Sequence, residues 1–380
     1  MSSTAIEITA KQPDIQYAPD FEKYQARGKL RLQSETLPKT VPDGFPEKLS
    51  GDMVWDGKDL KDRYNWTYEL SDAEIEEIEG GLAHFKSLSR ELHQGHGFFI
   101  LRGLPVDKHT RADNIAIYAG ISSHVAPQRG RQDSQYLGKP ADMMLNHVKD
   151  LTYTSQSSSV GSPAYTADKQ VFHTDSGDVV SLFCLSEAAE GGTSRLASTW
   201  RVYNELAATR PDLIHTLSAP WPLENFGNTH EPYTSRPLLY HQPATADAPA
   251  RVLLQYARRY FTGFGALPRS TAIPPISEAQ AEALDALHFL GERFNVGLEF
   301  KKGDVQYVNN LAVFHARDGF TDEEGRRRHL VRLWLRDPEY AWDTPRELEG
   351  KWRALYEGVG AEREVFPLEP TVRGESRGGT

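Results

Sequence analysis

The last third of the chain places the tightest limits on its fold. Residues 303–317, GDVQYVNNLAVFHAR, and 326–337, RRRHLVRLWLRD, are two apolar runs separated by the turn-like DGFTDEEG. In a strand, alternate side chains share a face. One face of the second run would carry Arg328, Leu330, Arg332 and Trp334, and the other His329, Val331, Leu333 and Leu335. The second face suits a core. The first puts two arginines on a strand apolar enough to be buried, and a buried arginine needs an anionic partner. Either an acid of the protein or a bound carboxylate would serve.

The rest of the chain continues this pattern. GHGFFILRGLPV (95–106), MMLNHV (143–148), DVVSLFCLSEA (178–188) and RVLLQYARRYFTGF (251–264) read as short strands. Helical spacing appears over 70–92, where Ser71 could cap with Glu74 three residues on and Ile75, Ile78, Leu82 and Phe85 recur. Further helices are expected at 110–124, within 198–217 with a stop near Pro211, and at 277–294. With few strand–helix–strand alternations, the class is α+β, mainly β: a sandwich or barrel with flanking helices. Residues 1–60 are polar and Pro-rich and read as an extended arm; 61–380 read as one domain. The Ser/Thr-rich stretch 151–170 is either a lid over a site or a surface loop without a role.

A net charge of −10 argues against a general nucleic-acid binder, which needs a basic face. No apolar run approaches the roughly 20 residues that span a bilayer, and the N-terminus has no basic-then-apolar leader pattern. A cytoplasmic protein is expected, either monomeric or homo-oligomeric. The one cysteine, Cys184, sits in the apolar run VVSLFCL and reads as a core residue.

Chemistry concentrates at VFHTDSGD, 171–178. His173 and Asp175 converge on one face if this segment is extended, and an imidazole with a carboxylate suits a divalent transition metal. Roughly one such triplet is expected by chance, so a distant third ligand is required. His84, His93 and His288 fall on helices, His109, His230 and His241 in loop-like sequence, and His329 on the packing face of its strand. His315, which ends an apolar strand before a turn, stands apart.

His173-x-Asp175, then His315, then Arg328 thirteen residues on, resembles the Fe(II)/2-oxoglutarate-dependent dioxygenases of the taurine dioxygenase-like (TauD/TfdA) family, which shares its core with clavaminate synthase. The resemblance covers about 95–337, including GFFILRGLPV, FHTDSGD, EGGTSRLAS and the two terminal strands. It implies a double-stranded β-helix, or jelly roll, with flanking helices. It also implies His173, Asp175 and His315 as iron ligands, Arg328 for the distal carboxylate of 2-oxoglutarate, and Ser194 or its neighbour Thr193 as a helper hydroxyl. Two histidines and a carboxylate leave three positions of an octahedral Fe(II) open, two for 2-oxoglutarate and one for O2. Such an enzyme oxidises an unactivated C–H of a small molecule and releases succinate and CO2.

The family's substrate-anion arginine corresponds to Arg332, which would meet a carboxylate or sulfonate unless a structural ion pair claims it. Trp334 either stacks on substrate or packs in the core. Asn146 and His147 lie where members often line the pocket. An amino acid or a natural-product intermediate is the expected substrate, and hydroxylation the default outcome beside desaturation or cyclisation. The competing reading is a non-catalytic, cupin-like metal binder, which would not need Arg328 or Ser194.

Overall fold

HLVRLWLR forms an eight-residue strand, His329–Arg336, buried over nearly its whole length. It lies inside a seven-stranded sheet, with partners on both edges. The computed structural model describes residues 11–71, 82–226, 228, 230–246 and 248–373. The strands of the two main sheets are β1 (Thr67–Glu69), β2 (Phe98–Arg102), β3 (Gln128–Gly130), β4 (Leu145–Val148), β5 (Gln170–His173), β6 (Val179–Ser186), β7 (Ser194–Ser198), β8 (Val296–Leu298), β9 (Val305–Asn309), β10 (Val313–Arg317) and β11 (His329–Arg336). The principal helices are α1 (Phe21–Ser34), α2 (Leu82–Gln94), α3 (Arg111–Val125), α4 (Thr199–Thr209), α5 (Pro211–Ser218), α6 (Glu278–Phe294) and α7 (Arg346–Tyr356).

The larger sheet runs β1–β2–β9–β6–β11–β3, with β4 also paired to β11; the smaller runs β8–β7–β10–β5. Only β1–β2 is parallel; the other main-sheet pairs are antiparallel. This is the expected jelly roll with attached helices. Val331, Leu333 and Leu335 pack with Phe85 of α2 and Ile115, Tyr118 and Ile121 of α3. Burying each such aliphatic side chain contributes about 1.5–3 kcal/mol over leaving it in water. The smaller sheet is covered by α6, whose Leu284, Leu287 and Phe294 share a cluster with Phe172, Leu196 and Phe314. Ser277 and Gln280 close the N-terminus of α6 reciprocally, which is why the helix begins there.

Several local readings change. The N-terminal segment is not simply extended. It contains α1, capped by Asp20, and it buries Leu49, Met53, Trp55 and Leu60 in the core. One face of α1 is cationic: Arg27 pairs with Glu278 and Asp285, and Arg31 with Glu282 and Asp212. Pro211 does not simply end a helix; it opens α5, where its missing N–H has no cost. In 251–264 the first strand stops at Leu254, a helical turn follows at Arg259–Thr262, and Gly263–Phe264 is a second short strand. Arg258 and Arg259 are both buried. Arg258 pairs with Asp285, and Arg259 stacks on Phe226. In the expected 70–92 helix, residues 72–81, with Glu74, Ile75 and Ile78, lie outside the described residues, Leu70 and Ser71 are not helical, and α2 spans Leu82–Gln94. Cys184 is a fully buried thiol, which burial pushes up to about 12.

Candidate active site

β5 ends at His173 and Asp175 follows two residues on. Register brings the third residue: His315 of β10 is the cross-strand partner of His173. The ligand atoms of His173, Asp175 and His315 all lie within 4.8 Å of one another, and all three residues are buried. Thr174 turns away from them; its hydroxyl accepts from the backbone N–H of Tyr256 at 2.8 Å. Asp175 is fixed through its backbone: Asn310 Oδ1 accepts its N–H at 2.7 Å, and Asn310 Nδ2 donates to its carbonyl at 2.8 Å. Gln255 Nε2 donates to the same carbonyl at 2.5 Å.

The ring nitrogens are set for metal binding. His173 Nδ1 lies 2.9 Å from the carbonyl of Val171, which takes its N–H and leaves Nε2 with a lone pair. That Nε2 is 3.8 Å from Asp175 Oδ1 and 3.1 Å from Gln170 Nε2. His315 Nδ1 is buried with no hydrogen-bond partner. Burial, followed by the charge of His173, pushes His315 down to about 3, and burial lowers His173 as well. Both imidazoles are therefore neutral near pH 7, the form that ligates a metal. Two neutral imidazoles, one carboxylate and an orphaned ring nitrogen fit a divalent iron.

A cavity of about 40 Å³ adjoins the triad, lined by Ser194, Arg317, Arg328, Leu330 and Arg332 among others. A second cavity, of about 210 Å³, meets it at Phe300, Arg328 and Leu330 and carries Thr193 on its wall. Of the two candidate hydroxyls, Ser194 thus lies on the triad's cavity and Thr193 on its neighbour. Arg328 is buried, its Nη1 makes no hydrogen bond, and burial lowers its guanidinium to about 10.

The residues expected to meet substrate divide. Arg332 lines the cavity, but its Nη1 donates to Asp175 Oδ2 at 2.6 Å and its Nε to Gln132 Oε1 at 3.0 Å; only Nη2 is buried without a partner. Trp334 donates from its indole N–H to Asp175 Oδ2 at 3.1 Å and packs in the core. His147 is drawn away: its Nδ1 lies 2.7 Å from His329 Nε2 and its Nε2 2.8 Å from the carbonyl of Pro367, so no ring nitrogen is left for a ligand. Asn146 accepts from the Tyr165 hydroxyl at 2.9 Å, with its Nδ2 buried and unpartnered.

Asn310, Gln255, Gln132 and Arg317 escaped sequence reasoning. Arg317 alone left a signal: it stands at i+2 from His315 and so shares its strand face. The other three act through contacts between segments remote in the chain.

The family model for taurine catabolism dioxygenases (TauD, TfdA family) matches residues 71–334. The chain belongs to the TauD/TfdA family. It is a non-haem iron oxygenase dependent on 2-oxoglutarate and O2. It is similar to the Taurine hydroxylase-like protein SAT17 of Stachybotrys chartarum, at 30% identity over 85% of this chain and 89% of the relative. It is also similar to FR-33289 synthase of Streptomyces rubellomurinus, at 25% identity over 76% and 90% of the two chains. In fold it resembles an asparagine oxygenase solved with Fe(II), 2S,3S-3-hydroxyasparagine and succinate: TM-score 0.51, 17% identity, 71% of this chain and 93% of that one. Among the described residues, no helix is long and apolar enough to cross a membrane.

Proposed function

We propose that His173, Asp175 and His315 hold one Fe(II), that Arg328 and Ser194 anchor 2-oxoglutarate, and that the substrate is a small anionic molecule of the amino-acid or natural-product type. The observation that carries this reading is a buried, partnerless guanidinium nitrogen of Arg328 in the same cavity as the triad. A protein that merely stored a metal would have no use for it. Bound iron and 2-oxoglutarate supply the activation of O2 and the oxidation of a C–H bond, with succinate and CO2 released.

The chain's own residues position and shield. Val171 sets the tautomer of His173, so that Nε2 points into the site. Arg332 and Trp334 engage Asp175 Oδ2, and Oδ1 lies 3.8 Å from His173 Nε2, on the side where the metal would sit. Arg328 offers a fixed cation at the far end of the cavity, where a dicarboxylate's second charge would come to rest. The Nη2 of Arg332 is a buried, unpartnered donor on a residue that lines this cavity and supports its role toward a substrate carboxylate or sulfonate. Asn146 Nδ2 is a second donor for that molecule, whereas His147 has no free nitrogen to serve it. Water exclusion follows from the burial of all these groups.

A taurine-like name and an amino-acid complex among the similar proteins support a small substrate with an acidic group. The test is succinate release with Fe(II), O2 and a panel of amino acids, sulfonates and other small acids. Release that one acid stimulates, and that His315→Ala abolishes, is expected. Metal binding without 2-oxoglutarate binding would return the protein to a non-catalytic role.

A further inference from the structure

Arg317 leaves β10 on the same face as His315, two residues away. Its cross-strand partner is Ser194. It is 5% exposed. Its Nη2 donates to two carbonyls in the segment before β5, those of Thr166, at 3.0 Å, and Asp168. Its Nε and Nη1 are buried and make no hydrogen bond.

Arg328 stands close by in the same state, with Nη1 buried and unpartnered. The guanidinium carbons lie 4.9 Å (Arg317) and 5.3 Å (Arg328) from the centre of one ring, that of Phe320, so they are no more than about 10 Å apart. Both line the cavity that holds His315 and Ser194. Two desolvated like charges at this separation repel, and burial without an anion is costly for each. An anion reachable by both removes both costs.

We propose that Arg317 and Arg328 together grip the distal carboxylate of 2-oxoglutarate, Arg317 from the Ser194 side. This rests on the reading above that Arg328 anchors the cosubstrate. A carboxylate offers about four lone-pair sites, enough for two guanidiniums and one hydroxyl. Arg332, not Arg317, lies against Asp175, so Arg317 serves the end of the cosubstrate remote from the metal. Because its third nitrogen holds the carbonyls of Thr166 and Asp168, the same side chain ties the 151–170 loop to the cosubstrate's seat.

The test is calorimetric titration of 2-oxoglutarate, and separately of pyruvate, into the full-length chain loaded with Mn(II) in the absence of O2. Pyruvate keeps the keto-acid end and lacks the distal carboxylate. Arg317→Gln is expected to weaken 2-oxoglutarate about ten-fold or more, the scale of a lost charge-assisted pair, and to leave pyruvate and Mn(II) affinity unchanged. The double variant with Arg328→Gln is expected to lose less than the product of the single losses, because both residues serve one carboxylate. Arg317→Lys, which keeps the charge and loses the fork, is expected to weaken 2-oxoglutarate several-fold and decides the matter if Arg317→Gln does not fold. Wild-type 2-oxoglutarate affinity in Arg317→Gln, or equal losses for 2-oxoglutarate and pyruvate in either variant, would overturn the inference. If Arg328→Gln also bound 2-oxoglutarate normally, the cosubstrate reading itself would fall.

Discussion

Arg332 Nη1 lies 2.6 Å from Asp175 Oδ2, the oxygen that also accepts the Trp334 indole N–H at 3.1 Å. One oxygen of the carboxylate is thereby engaged from behind, and Oδ1 is the one nearer His173 Nε2, at 3.8 Å. An arginine that the sequence offers to a substrate thus gives one of its three nitrogens to Asp175, the carboxylate we propose as a metal ligand.

Arg332→Met should therefore weaken metal binding. The substitution keeps length and apolar bulk but leaves Asp175 Oδ2 with the indole as its remaining side-chain donor from β11. A fall of about 10–100-fold is the scale for losing such a supporting contact. Mn(II) titration without O2 reads it directly; unchanged affinity would show that Trp334 suffices.

Removing a ligand should do more. His173→Ala or His315→Ala is expected to abolish metal binding and succinate release together. Circular dichroism should stay native, since each ring sits at a cavity wall and not in the apolar clusters. Succinate release surviving in either variant would refute the triad.

Gly192 lies against Arg328, which we propose to anchor the cosubstrate. Its φ is +78°, and a Cβ there would stand 3.1 Å from Arg328 Nε. Gly192→Ala is expected to cost about 1–2 kcal/mol of stability from the left-handed backbone. It should also raise the KM for 2-oxoglutarate several-fold, because the guanidinium must shift. Urea unfolding and cosubstrate kinetics check the two parts separately.

The His147–His329 pair makes stability depend on pH. The ring nitrogens lie 2.7 Å apart, and burial holds both groups down, His147 at about 4 and His329 at about 2. Both values lie below the unfolded value of about 6.5. The pair's contribution is therefore present above about pH 6.5 and is lost as pH falls, since the unfolded chain then binds more protons. His329→Gln should flatten the stability-against-pH slope below pH 6.5 by up to about 1.4 kcal/mol per pH unit. Urea melts from pH 7 to 5 measure it.

The N-terminal segment is held by charge at a buried seam. Arg31 Nη1 lies 2.6 Å from Glu282 Oε2, and Glu282 is fully buried. Arg31→Ala strips one of the two arginines that neutralise Glu282, the other being Arg210. A loss of about 2–4 kcal/mol is expected, at or below the cost of breaking a buried pair because Arg210 remains. A Tm shift under about 1 °C would show that Arg210 carries the charge alone.

What the sequence determined by itself was the set of local periodicities and the order of chemically distinct residues. The two-residue alternation of β11 separated Val331, Leu333 and Leu335 from Arg328, Arg332 and Trp334, and the structure buries the first set against α2 and α3. The convergence of His173, Asp175 and His315 was legible because strand geometry puts i and i+2 on one face, and because a strand end before a turn presents its last histidine. Tertiary structure decided which partner each charged group meets. Arg332 faces Asp175 because β11 and the end of β5 meet across the cavity; His147 faces His329 because β4 pairs beside β11. Arg27 and Arg31 find their acids on helices some 180 to 260 residues away along the chain. An ion pair or hydrogen bond between remote segments leaves no period in either one. Only the fold can say whether a buried arginine is paired with acids, as Arg31 is, or keeps buried nitrogens without a hydrogen bond, as Arg328 and Arg317 do.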